Sequence, residues 1–261
     1  MRIAITRRVS PAIARCELTH LERRPIDYER ARAQHGAYEA ALEELGCRVQ
    51  ALPAEASLPD SVFVEDIAVV LDEVAILTRP GAPSRRAEAG SLVTALTPYR
   101  PLRAITAPAT LDGGDVLRTG RVLFVGLSSR SNQAAVDQLA TALAPYGYRV
   151  QAVPVDGCLH LKSAVTQVAP RAVLANRRWV DVGAFAEFAV IEVDPDEAYA
   201  ANGLLIGERV IYPTSFPATA RRLERRGVAV VPVDVTELQK AEGAVTCCSL
   251  IFETSPGAQS S

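Results

Sequence analysis

The chain has 261 residues, 49% of them hydrophobic and 22% charged, with a formal net charge of −2. That is enough apolar material for a large core, near the upper size for one domain. It also excludes the basic surface that nucleic acid requires; the cluster Arg221, Arg222, Arg225 and Arg226 reads as a solvated helix face. The start, MRIAITRRVS, lacks the apolar run of a signal peptide. No stretch approaches the ~20 apolar residues of a membrane span, so a cytoplasmic protein is expected. The five cysteines, Cys16, Cys47, Cys158, Cys247 and Cys248, include no CxxC pair. Reduced thiols are expected rather than a disulfide framework or a zinc ribbon.

In chain order, RIAITRRV at Arg2–Val9 reads as a lone strand. A helix over Asp27–Leu45, stopped by Gly46, precedes a strand at Cys47–Pro53. Next comes a hairpin, Val62–Arg79, turning at Asp72-Glu73, then a helix over Ser84–Thr97 and a strand at Leu102–Pro108. The order returns with a hairpin at Gly114–Gly126, a helix over Ser131–Tyr146 and a strand at Tyr148–Pro154. Both of these helices open on serine, a good N-cap. A hairpin at Leu161–Asn176 and a strand at Ala189–Pro195 follow. Then a hairpin at Ala201–Pro213 turns at Gly207-Glu208, and a helix over Pro217–Arg226, with proline first and Gly227 after it, leads to a strand at Val228–Pro232. Last is a single strand, Ala244–Glu253.

The recurring unit is strand, strand, helix, strand, with a period of roughly 40–50 residues, in the range of radial or solenoid repeats. The last unit lacks one strand, which Arg2–Val9 supplies if the ends of the chain meet. An ordinary doubly wound sheet is disfavoured, because two-residue turns join antiparallel strands and parallel strands need crossovers. The expected fold is a single α/β domain over residues 1–253, a five-bladed α/β propeller, with residues 254–261 (TSPGAQSS) a disordered tail.

Asp66, Asp112, His160, Asn202 and Cys247 each fall near the start of a hairpin unit. In a closed ring such positions face one axis. Cys247 is then the candidate nucleophile, although a lone cysteine in an apolar strand is more often packing. A strand over Ala244–Glu253 puts Cys247 and Cys248 on opposite faces, and periodicity does not choose between them. His160 can give and take a proton near neutrality; His20 sits in a loop and His35 within a helix. Asp112, beside Gly113 and Gly114, can orient His160 or bind a cation, or simply cap a turn. Asp60, Glu65 and Asp66 are acids in apolar sequence, costly to bury unless a cation compensates them. Arg85 and Arg130 suit a carboxylate. The set fits a ligand with a guanidinium at one end and a carboxylate at the other, as in arginine.

The sequence resembles the dimethylarginine dimethylaminohydrolase family of the pentein superfamily of guanidine-modifying enzymes. The motifs are SVFVED (Ser61–Asp66), TRPGAPSRR (Thr78–Arg86), TLDGGDVL (Thr110–Leu117), VGLSSRSNQ (Val125–Gln133), LHLKS (Leu159–Ser163), AAN (Ala200–Asn202) and TCCS (Thr246–Ser249). The resemblance implies a five-bladed α/β propeller, Cys247 as nucleophile, His160 as acid–base and Asp112 as the triad's carboxylate. It places guanidinium-binding acids at Glu65 and Asp66, and contacts to the amino-acid end at Leu18, Asp60, Arg85 and Arg130, with a backbone contact at Ala241. The implied reaction is hydrolysis of N-methylated arginine to citrulline and an alkylamine through a covalent cysteine thiouronium. No cofactor and no metal are expected, and the partner is the small-molecule substrate, with no nucleic acid and no membrane. Association into a homodimer is left open. The rival readings are an arginine deiminase, an amidinotransferase or another guanidine hydrolase of that superfamily, and a non-catalytic propeller that binds without turnover.

Overall fold

The protein was studied as a computed structural model that describes residues 1–254. Among them lie fifteen strands: β1 (Arg2–Arg7), β2 (Cys47–Leu52), β3 (Ala68–Val70), β4 (Ala75–Leu77), β5 (Leu102–Ala104), β6 (Val116–Thr119), β7 (Val122–Leu127), β8 (Arg149–Pro154), β9 (Val165–Ala169), β10 (Ala172–Ala175), β11 (Ala189–Glu192), β12 (Leu204–Ile206), β13 (Arg209–Pro213), β14 (Ala229–Val233) and β15 (Leu250–Glu253). They form five three-stranded sheets, β15-β1-β2, β3-β4-β5, β6-β7-β8, β11-β10-β9 and β12-β13-β14. In each, the middle strand runs antiparallel to one neighbour and parallel to the other.

This mixture follows from the connections. Short turns can only make antiparallel neighbours: β12 meets β13 through Gly207-Glu208, with Gly207 at φ 62°, a left-handed value that glycine adopts without strain. Parallel neighbours need a crossover. Helices α1 (Tyr28–Glu44), α2 (Ala89–Leu96) and α3 (Gln133–Leu143) supply three of these. A single turn at Leu161–Ala164, α4, then leads into β9; α5 (Pro217–Arg225) crosses between β13 and β14, and α6 (Thr236–Gln239) follows β14. The β10–β11 crossover holds only a 3-10 turn, Val182–Phe185.

The strand at the start of the chain completes the last unit, as expected. Strand β1 pairs antiparallel with β15, from Arg2 opposite Glu253 to Ile5 opposite Leu250, and parallel with β2. The Met1 ammonium donates to the Thr254 carbonyl at 2.9 Å, and the Thr254 N–H donates back to Met1 O at 2.8 Å. Thr254 is therefore buried and bonded rather than the first residue of a free tail; Ser255–Ser261, the rest of the expected tail, lie outside the described residues.

Two predicted helix caps are otherwise engaged. Ser84 donates its hydroxyl to Glu17 Oε1 at 2.6 Å, and its segment is a 3-10 helix, Pro83–Glu88, running into α2. Ser131 donates to Asp115 Oδ2 at 2.6 Å, leaving Asn132 to cap α3 by accepting from Ala135 N at 3.1 Å. At Ser131 the local cap preference lost to a buried carboxylate that needs donors; at Ser84 it lost to the exposed carboxylate of Glu17. Pro232 lies inside β14 rather than at its end, which an edge strand tolerates.

The hairpins also start later than expected. Single turns at Val64–Ile67, Gly113–Asp115, Leu161–Ala164 and Val245–Cys248 precede β3, β6, β9 and β15. Their polar groups bond from unit to unit. Glu65 N donates to Cys247 O (3.1 Å), Gly114 N to Asp66 Oδ1 (3.0 Å), Leu161 N to Asp115 Oδ1 (2.8 Å), Asn202 Nδ2 to Lys162 O (3.0 Å) and Thr246 N to Asn202 Oδ1 (3.1 Å). Each unit is thus tied to the next and the last to the first. Five buried clusters repeat that order, each containing strand residues of two successive sheets; one joins Ile3, Ile5 and Phe252 to Ala68, Ala75, Leu92 and Leu96. Fully burying one such leucine or isoleucine contributes about 1.5–3 kcal/mol. No helix among the described residues is long and apolar enough to cross a membrane.

Candidate active site

The turns that open the units carry the chemistry to one small cavity. Cys247, His160, Asp112, Asp66, Asp60, Arg85, Arg130 and Ala241 line it, with Glu17, Phe63, Leu159, Glu242 and Gly243. These residues are far apart in sequence and meet because each unit is bonded to the next. Glu65 and Leu18 are not in the lining. Leu18 is half-buried and packs on the cluster that holds Phe63, Ala241 and Cys247.

Asp112 and His160 form the centre. His160 Nε2 lies 3.1 Å from Asp112 Oδ2, and Nδ1 is 3.8 Å from Asp66 Oδ1. Asp112 is fixed in turn: its Oδ1 accepts from Gly81 N at 2.8 Å, and its N–H donates to Ser131 Oγ at 3.1 Å. The glycines after it are required by space. A Cβ at Gly114 would sit 2.5 Å from His160 Nδ1 and 2.8 Å from Asp66 Oδ1.

Burial alone would push the His160 pKa down, but Asp66, the hydrogen bond to Asp112, and Asp115 raise it to about 9. The imidazole is protonated at neutral pH. Burial pushes Asp66 up, yet His160 and Arg85 hold it at about 2. The unfolded histidine titrates near ~6.5. A raised folded value stabilises the protein fully below that pH and stops doing so as pH rises through 9. Thermal stability is therefore expected to fall between about pH 6.5 and 9, and a His160→Gln variant should lose that slope. Melting curves across the window check this; equal slopes in both proteins would remove His160 as the cause.

Arg85 is held on the buried side of the pocket. It donates to Asp66 Oδ2 at 2.5 Å, to Glu88 through Nε (3.1 Å) and Nη2 (2.9 Å), and to the carbonyls of Asp60 and Phe63. Arg130 has a lighter load: its Nη2 donates to Thr19 Oγ1 at 2.8 Å. Glu65 departs from the expectation that it joins Asp66 on a cation. Its Oε1 accepts from Lys162 Nζ at 2.5 Å and its Oε2 from Thr246 Oγ1 at 2.8 Å. It lines a different cavity, with Lys162, Thr246, Gly113 and Gly203. Consecutive acids in a tight turn diverge, and the nearby ammonium claimed this one.

The cysteine pair sits in a turn, not in the strand expected there; β15 begins at Leu250. Strand alternation therefore does not apply. Cys247 is 9% exposed and lines the cavity, whereas Cys248 is fully buried and its thiol donates to Ala244 O at 3.5 Å. Burial, then the Glu65 and Asp66 carboxylates, pushes the Cys247 thiol up to about 12. Burial and the two carboxylates together outweigh the opposing pull of Lys162.

Sequence reading missed Glu17, Glu242, Asp115 and Lys162. Asp115 lies within TLDGGDVL and Lys162 within LHLKS, so the motifs pointed near them; Glu17 and Glu242 carry no such signal. A ligand atom from each of Asp66, Asp112 and His160 lies within 4.8 Å of the others, a spacing that could hold a metal ion.

Comparison with known proteins decides the relationship. Residues 18–177 match the family described as N,N dimethylarginine dimethylhydrolase, eukaryotic. The chain is 42% identical over 249 residues to an N(G),N(G)-dimethylarginine dimethylaminohydrolase of Streptomyces coelicolor, covering 95% of each. It belongs to the dimethylarginine dimethylaminohydrolase family. Its structure resembles a cysteine-to-serine variant of the Pseudomonas aeruginosa family member complexed with citrulline, with TM-score 0.89, 34% identity, and 95% and 98% of the two chains covered. It also resembles a family member solved as an adduct with S-methyl-L-thiocitrulline, with TM-score 0.90, 33% identity, and 97% and 100% covered.

Proposed function

We propose that this chain hydrolyses N-methylated arginine to citrulline and methylamine or dimethylamine, with Cys247 as nucleophile. The observation that carries this is the single pocket in which a cysteine and a protonated histidine stand among buried carboxylates. Such a site is poor for an anion and suits a guanidinium.

Asp66 and Asp112 hold the cation, and Arg130 takes the α-carboxylate, whose bidentate geometry it matches. Arg85 braces Asp66, and Glu65 braces the turn beneath the nucleophile through Thr246. Leu18 and Asp60 close on the amino-acid end, with the Ala241 backbone. With the substrate cation seated, the Cys247 thiol gives its proton to solvent and the thiolate sulfur attacks the guanidinium carbon; the proton is regained when the C–S bond later breaks. The C–N bond to the methylated nitrogen breaks, and His160 gives that amine a proton. A thiouronium remains on the cysteine. His160 then takes a proton from water, whose oxygen attacks the same carbon. The C–S bond breaks, and citrulline leaves. Alignment and fixed charge supply most of the rate.

Citrulline assays with arginine, monomethylarginine and dimethylarginine test the reading. Turnover of the methylated forms is the expected result; turnover of arginine alone would make the chain a deiminase. Activity is also expected to survive exhaustive chelation, since every chemical step above uses side chains, while added zinc should inhibit by engaging Cys247. Activity lost to chelation and restored by a metal would contradict this.

Two further points belong to the same proposal. The five sheets are blades of a closed α/β propeller, supported by bonds that tie each unit to the next and by clusters shared between successive sheets. A cytosolic location fits five free thiols.

A further inference from the structure

Residues 17–21 form no helix or strand. Their backbone N–H groups nevertheless find acceptors, and two carboxylates provide them. Glu17 N donates to both oxygens of Asp60 at 3.2 Å. Three successive amides, those of Thr19 (2.9 Å), His20 (2.5 Å) and Leu21 (2.5 Å), converge on the carboxylate of Glu242. Glu242 itself stands between Ala241 and Gly243 in the pocket wall. Among the described residues it is the sole non-glycine residue with positive φ, at 58°.

We propose that Glu242 is a positioning residue, a latch that holds segment 17–21 closed against the substrate pocket. Amides without a ladder partner open easily to water. Three of them sharing one charged acceptor make a charge-assisted set, stronger than neutral bonds. The left-handed backbone of Glu242 is uncommon for a residue with a Cβ and persists where its surroundings hold it. That conformation aims the carboxylate at the segment. Packing anchors the segment at Leu18, which lies on the cluster of Phe63, Ala241 and Cys247; beyond it, His20 and Leu21 face a second cavity that Tyr199 and Phe216 also line. Polar ties set the position of residues 19–21: the Glu242 carboxylate takes all three of their backbone amides, and Arg130 holds the Thr19 hydroxyl. Since substrate must enter and citrulline must leave, the latch has to open in each cycle. A tie through one carboxylate can break and re-form without repacking a core.

The kinetic part of this inference rests on the proposed reaction; the structural part does not. Amide hydrogen exchange, read residue by residue on the full chain without substrate, is the first measurement. Glu242→Gly suits the backbone at this φ and removes the acceptor. Exchange at Thr19, His20 and Leu21 should rise about tenfold or more, with β1 and β7 unchanged. KM should rise about tenfold while kcat changes less than about threefold. If Glu242→Gly does not fold, Glu242→Gln, which keeps the length and one acceptor oxygen, should raise exchange at the same amides by roughly threefold. Unchanged exchange at these amides overturns the latch. So does a rise spread uniformly over the chain, which would mark Glu242 as a purely structural residue. Absent turnover of methylated arginines with the exchange pattern intact would sink the reaction instead and leave the latch standing.

Discussion

Cys247→Ser is expected to lower kcat by about 10⁴-fold or more, the scale seen when a nucleophile is removed, while Cys248→Ala keeps turnover within about tenfold. The contrast comes from placement. Cys247 lines the pocket; Cys248 is fully buried beside it, with its thiol on Ala244 O. A serine hydroxyl is harder still to ionise than this thiol, already pushed up to about 12 by burial and by Glu65 and Asp66. A guanidinium seated at Asp66 would cancel part of that carboxylate field and draw the thiol down toward neutrality. The nucleophile would then be activated by the substrate's own charge. Alkylation of the free protein should accordingly be slow at neutral pH, and substrate should protect the labelled site. Mass spectrometry should find that label on Cys247. A label on Cys248, with Cys247→Ser still active, would place the nucleophile one residue later.

His160→Ala should reduce kcat by about 10²–10⁴-fold. In the proposed reaction the imidazole serves both halves, as acid when the amine leaves and as base when water enters. With a pKa of about 9 it begins in the protonated form that the first half needs. Asp112→Asn should also impair turnover. It removes one of the charges that keep His160 protonated and weakens the 3.1 Å contact that orients the ring. Circular dichroism should show both variants folded. Near-normal kcat in folded His160→Ala would take the histidine out of the mechanism.

Much of this architecture was legible before any coordinates. Helix stops at Gly46 and Gly227 and the turn at Gly207-Glu208 are local properties of glycine and of short connections. The missing strand of the last unit was visible by counting. Family motifs named Cys247, His160 and Asp112 before their geometry was known. All of these depend on residues close together in sequence, or on a motif whose meaning is already known.

Side-chain direction within the turns was not legible. Glu65 and Asp66 are neighbours of the same type, yet Glu65 bonds Lys162 and Thr246, 97 and 181 residues away, and Asp66 bonds Arg85, Gly114 and the field of His160. Cys247 and Cys248 were expected to alternate on a strand that begins only at Leu250. Burial, and then carboxylates from another unit, pushed the thiol pKa up. Glu242 gained its three amide partners from a segment more than 220 residues earlier. Periodicity records which face of a regular element is buried, because that repeats along the chain. In an irregular turn nothing repeats, and each polar atom points to whichever buried partner satisfies it; only the closed tertiary structure determines which partner that is.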